Sequence, residues 1–99
     1  MRILIVEDEF KIADVIASRL RKENYIVDVF GNGEEGLDNA LTNIYDLIIL
    51  DVMLPDIDGF RICQTIREQY YYPIIMLTAK VEDTDKIMGL TIGADDYLS

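Results

Sequence analysis

At 99 residues, with hydrophobic side chains making up 51%, the chain is long enough for one domain and no more. Its 19 acids against 9 bases leave a formal charge of −10, which repels nucleic-acid phosphates and anionic membranes and favours cations or basic partners. A single cysteine and no histidine exclude an internal disulfide, a cysteine-based zinc site and a histidine nucleophile, so any metal here is hard and oxygen-bound.

No apolar run approaches the ~18 residues of a membrane span. Met1-Arg2 leads directly into a strand-like run, so a cytoplasmic protein without a signal peptide is expected, with neither a membrane nor direct nucleic-acid binding. That run, Ile3-Leu4-Ile5-Val6, is short, mostly β-branched and followed by Glu7, Asp8 and Glu9. From Phe10 to Leu20 the residues Phe10, Ala13, Ile16, Ala17 and Leu20 recur at helical spacing, with Ile12 and Val15 widening the stripe. Arg19, Arg21 and Lys22 suit the dipole at the end of this first helix. Glu9 reads as a charge at its start and carries no functional role.

Tyr25 to Phe30 alternates only partly before Gly31-Asn32-Gly33 breaks it, which predicts a shorter and more exposed second strand. Gly36, Leu37, Ala40, Leu41 and Ile44 then fall on one helical face. The third strand, Leu47-Ile48-Ile49-Leu50, is buried on both faces by its pattern and ends on Asp51 before a turn through Pro55 and Gly59. Phe60, Ile62, Cys63 and Ile66 form a third helical stripe, in which Cys63 is a small core residue. Tyr70-Tyr71-Tyr72 before Pro73 is expected to anchor a loop, and Ile74-Ile75-Met76-Leu77 is a fourth strand ending in Thr78. A fourth helix carrying Ile87, Met88 and Leu90, and a fifth strand over Asp95 to Ser99, complete the pattern.

Alternation of strands and helices at this spacing predicts an α/β fold: an open, doubly wound, flavodoxin-like parallel sheet. In the order 2-1-3-4-5 the third strand lies between the first and the fourth, where the winding reverses and such folds bind ligands. Adjacent strands lie ~4.8 Å apart, so Asp51 is flanked by Asp8 and Thr78. Carboxylates of Glu7, Asp8 and Asp51 crowded at one edge repel one another unless a cation relieves them, and Mg2+ suits such oxygen ligands. Asp51 could then attack phosphorus, with Thr78 offering a hydroxyl to a phosphoryl oxygen. On spacing alone, a solvated acidic edge explains the same residues equally well.

Four stretches, Val6-Glu7-Asp8-Glu9, Leu50-Asp51-Val52-Met53-Leu54-Pro55-Asp56-Ile57-Asp58-Gly59-Phe60, Leu77-Thr78-Ala79-Lys80 and Gly93-Ala94-Asp95-Asp96-Tyr97-Leu98, carry a resemblance. In order and spacing the chain resembles the receiver domain of bacterial two-component response regulators over residues 1–99. The resemblance implies that Asp51 accepts a phosphoryl group from a phosphohistidine on a sensor histidine kinase. It also implies that Asp8, Asp51 and the backbone carbonyl of Met53 bind Mg2+, with Glu7 acting through water, and that Thr78 and Tyr97 form a switch pair. The Leu54 to Phe60 wording is most like receivers attached to winged-helix transcription factors.

Family members continue past the Tyr-Leu-Ser position with a lysine and a fifth helix, and this sequence ends at Ser99. Lys80, two residues after Thr78, is not a substitute by motif. The expectations are therefore that the last helix is absent, that metal binding outlasts efficient phosphorylation, and that an uncovered sheet face favours a homodimer or a swapped oligomer. Two other functions compete: an interaction module that is never phosphorylated, and a Mg2+-dependent phosphatase. The phosphatase lacks a second aspartate two residues after Asp51, where Met53 stands.

Overall fold

The computed structural model describes residues 1–77 and the backbone of Asp96–Leu98. Thr78, Lys80 and the fourth helix read from the sequence lie outside the described residues. The elements run β1 (Arg2–Val6), α1 (Phe10–Lys22), β2 (Ile26–Phe30), α2 (Gly33–Ala40), β3 (Leu47–Asp51), α3 (Gly59–Arg67), β4 (Ile74–Leu77) and β5 (Asp96–Leu98). All strand pairs are parallel, as the alternation predicts, and their order is β2-β1-β3-β4-β5, the one in which β3 lies between β1 and β4.

The continuous apolar runs of β1 and β3 exist because both sheet faces are covered. Leu4, Val6, Ile48 and Leu50 face one way and meet Ile62, Cys63 and Ile66 of α3 and Ala40 of α2. Ile3, Ile5 and Ile49 face the other way and meet Ala13 and Ala17 of α1. Cys63 is wholly buried in the first cluster, the core role its spacing predicts.

Helix α1 departs from the predicted stripe. Ala13 and Ala17 are buried, whereas Phe10 is 77% and Val15 69% exposed, and Ile12 is exposed as well. Two alanines let the helix axis approach the sheet closely, which narrows the buried stripe to their side. Val15 lies two positions from each alanine, which turns it by about 200° toward solvent. The second helix ends at Ala40, so Ile44 falls beyond it and is exposed, after Asn43 has turned the chain at φ 61°. Strand β2 is as long as β1 and lies at the sheet edge, with Ile26 exposed.

The tyrosine run anchors its loop as expected. Tyr72 is buried, stacks at 5.5 Å on Tyr70 and donates its hydroxyl to Asn43 Oδ1 at 3.0 Å. Among the described residues no helix is long and apolar enough to cross a membrane. Because every strand runs the same way, all strand C-termini share one edge, and that edge holds the candidate site.

Candidate functional site

Asp51 is the last residue of β3, and Leu50 beside it pairs with Val6, the last residue of β1. Glu7 and Asp8 therefore emerge next to Asp51. Carboxylate oxygens of Glu7, Asp8 and Asp51 all lie within 4.8 Å of one another. Asp51 is 8% exposed and Glu7 5%, while Asp8 opens to solvent. The solvated-acid reading of Asp51 is thus overturned: the strand ladder continues through it to Leu77, and the side chain is held inside.

Backbone amides orient the two buried acids. Met53 N–H donates to Asp51 Oδ1 at 3.1 Å, and Glu9 N–H donates to a Glu7 carboxylate oxygen at 3.0 Å. These bonds stabilise the charged forms, yet they do not offset desolvation. Burial pushes the Glu7 carboxyl from an ordinary 4.5 up to about 7, against the pull of the Glu9 amide and helped by the charges of Asp51 and Asp8. Burial likewise raises Asp51, with the Met53 amide opposing and Asp8 adding to the rise. Among the described residues no lysine or arginine forms an ion pair with any of the three. Such a donor set is all oxygen, anionic and short of positive charge, which fits a small hard divalent cation.

The segment after Asp51 is shaped by Gly59. A Cβ at this position would run into the Asp51 carbonyl oxygen and come within 2.7 Å of Val52 Cα, so α3 can start against the strand end only with glycine here. Gly59 N–H closes the segment by donating to the Val52 carbonyl at 3.0 Å, and Asp58 caps α3 by accepting from Phe60 N–H at 2.8 Å. The sequence reading takes Gly59 as part of the turn; it is the first residue of the helix.

Glu7, Asp8 and Asp51 of the predicted site are brought together. Met53 lies two residues beyond Asp51, with an exposed side chain and its amide on the Asp51 carboxylate. Tyr97 lies in β5 at the register position opposite Met76. Sequence reasoning missed Asp56, whose carboxylate accepts from Gly33 N–H at 2.7 Å and Glu34 N–H at 2.9 Å at the start of α2. Those two bonds hold the Asp56 carboxyl below the usual carboxylate range. An acid after proline looks like an ordinary turn residue, and nothing local points to partners more than twenty positions earlier.

A family model described as the response regulator receiver domain matches residues 3–99. The chain is 54% identical over 97 residues to response regulator ArlR of Staphylococcus aureus, covering 98% of this chain and 44% of that protein. It thus spans less than half the length of the curated relatives it matches. Among solved structures, the BeF3-activated N-terminal receiver domain of Klebsiella pneumoniae RstA superposes with a TM-score of 0.94 at 35% identity, over 99% of this chain and 84% of that one. The Thermotoga maritima response regulator DrrB, described as an OmpR/PhoB homologue, gives 0.89 at 32% identity, over 99% of this chain and 44% of that one.

Proposed function

This chain belongs to the response regulator receiver domain family, and we propose that within it Asp51 accepts a phosphoryl group from a sensor histidine kinase, beside Mg2+ held by Glu7, Asp8, Asp51 and the Met53 carbonyl. Residues 1–99 act as the phosphoacceptor unit, in the cytoplasm where the kinase draws on ATP. The observation that carries this reading is the cluster of three carboxylates, two of them buried, whose oxygens lie within 4.8 Å of one another on adjacent strands.

The Met53 amide orients the Asp51 carboxylate through Oδ1, and a carboxylate oxygen of Asp51 attacks. A P–O bond forms from that oxygen, and the donor's P–N bond breaks with its electron pair going to the imidazole nitrogen, which takes up a proton. When bound, Mg2+ would supply positive charge that favours the ionised forms of Glu7 and Asp51 and offsets charge on the phosphoryl oxygens. Asp51 ends the reaction as an acyl phosphate, so the domain is modified and turns over no separate substrate. The added charge of about −1.5 to −2 then biases the Thr78 and Tyr97 switch. Likeness to DrrB and the Leu54 to Phe60 wording support a winged-helix transcription factor as the output.

Backbone amide NMR with Mg2+ and the phosphate analogue beryllofluoride tests the reading. Wild-type chain should shift with both ligands, and Asp51→Asn should lose the analogue response completely. An Asp51→Asn chain that still responds, or a wild type that does not, rejects Asp51 as acceptor.

A further inference from the structure

Besides the Val52 N–H bond to the Leu77 carbonyl, which continues the strand ladder, three fastenings of the segment joining β3 to α3 bear on the site. Two are local: Met53 N–H on Asp51 Oδ1, and Gly59 N–H on the Val52 carbonyl. The third leaves the segment altogether, where the two Asp56 oxygens accept from Gly33 N–H at 2.7 Å and Glu34 N–H at 2.9 Å.

Helix α2 already has a cap of its own, since Asn32 Oδ1 accepts from Glu35 N–H at 2.9 Å. One adjacent side chain is the usual provision for a helix start. Here a second, remote carboxylate takes the first two amides of the helix, which also places its charge at the favourable end of the dipole. Three further α2 contacts show what this fastening holds. A Cβ at Gly33 would lie 2.9 Å from Ile62 Cδ1 and 3.1 Å from Ile57 Cβ, so the helix start sits directly on the β3–α3 segment and on α3. A Cβ at Gly36 would lie 2.6 Å from both Val6 methyls, so the next turn of α2 sits on the end of β1. Val6 immediately precedes Glu7 and Asp8.

The contacts thus close a loop around the acidic cluster. It runs from Asp51 through the segment bearing Met53 to Asp56, across two hydrogen bonds to α2, down α2 to Val6, and back to Glu7 and Asp8. Breaking the Asp56 link opens this loop at a residue outside the carboxylate cluster.

We propose that Asp56 is a positioning residue for the cation site, which fixes the Met53 segment relative to Glu7 and Asp8 by clamping it to the start of α2. The proposal rests on the reading of Met53 as a Mg2+ ligand. It predicts a linkage in both directions: Asp56 strengthens Mg2+ binding, and Mg2+ protects the amides that Asp56 holds.

Mg2+ alone is titrated into the 99-residue chain and its variants, each first checked for a cooperative melt. Asp56→Ala should weaken Mg2+ affinity about fivefold or more. Asp56→Asn keeps an acceptor for one of the two amides and should lie between Ala and wild type. In the wild type, saturating Mg2+ should slow hydrogen exchange at Gly33 and Glu34 by a similar factor, and this measurement stands even where Asp56→Ala does not fold. Wild-type affinity in a folded Asp56→Ala, equal losses in Ala and Asn, or unchanged exchange at the two amides on Mg2+ saturation each overturns the positioning role. A wild type that takes up no Mg2+ overturns the phosphoacceptor reading itself, and the positioning role with it.

Discussion

The two ends of the sheet treat acidic residues in opposite ways. Toward the N-terminal end, Asp28 accepts from Arg2 Nε at 3.2 Å, from Arg2 Nη2 at 3.1 Å and from the Tyr45 hydroxyl at 2.7 Å, while Asp46 accepts from Arg2 N–H at 2.7 Å. The Arg2 guanidinium also lies over the Tyr45 ring at 5.9 Å, and burial with the Asp28 bond pushes the Tyr45 hydroxyl up to about 12. Arg2, Asp28 and Asp46 there each have a partner. At the C-terminal end three acids share one small space, and the described residues offer them amides but no cationic side chain. A buried polar group without full compensation costs stability, so the first end ties β1, β2 and β3 together while the second carries uncompensated acids that could hold a metal ion.

Four experiments sharpen that contrast. The largest effect is expected from Gly59→Ala, which forces a Cβ against the Asp51 carbonyl and Val52; urea melts should show a loss of about 3 kcal/mol or more. A loss under 1 kcal/mol would mean that the strand end can shift and that the site is less rigid than its packing indicates.

Next comes pH. The folded-state Glu7 value of about 7 lies above its ordinary 4.5, so folding favours the protonated acid. Its contribution is full below about 4.5 and is lost as pH rises through about 7. Metal-free chain should therefore lose on the order of 2 kcal/mol between pH 4.5 and pH 8, and Glu7→Gln should flatten that slope. Equal slopes in both chains would remove Glu7 as the cause.

Smaller effects belong to the compensated end. Arg2→Ala should cost about 1 kcal/mol, modest because the pair is partly solvent-screened. Tyr45→Phe should cost about 0.5–1 kcal/mol, because Asp28 loses one hydroxyl donor but keeps the Arg2 guanidinium. Neither substitution should move Mg2+ affinity in a calorimetric titration, since the two ends share no partner. A change beyond about twofold would show that they are coupled.

Much of this was legible before any coordinates. Four-residue apolar runs at Ile3, Leu47 and Ile74, each ending in polar groups, specify buried parallel strands, and that arrangement carries Glu7, Asp8 and Asp51 to one edge. What periodicity overstated was burial on helices. Phe10, Ile12 and Val15 belong to an apolar spacing, but the width of a buried stripe depends on how near the helix approaches, and Ala13 and Ala17 set that distance. Ile44 failed for a different reason: the helix stops at Ala40, and Asn43 redirects the chain.

By itself the sequence determined the parallel, doubly wound sheet, the identity of the acids and their place at strand C-termini, because alternation of strands and helices with right-handed crossovers leaves few arrangements of these runs. Only the tertiary structure decided that Asp51 and Glu7 are buried, that Gly59 is required by the Asp51 backbone, and that Asp56 fastens one side of the site to α2. Burial, steric contact and a hydrogen bond across more than twenty residues are properties of positions in space. Local spacing sets which residues can meet, whereas the distances between packed elements set the proton affinities and contacts they have once they do.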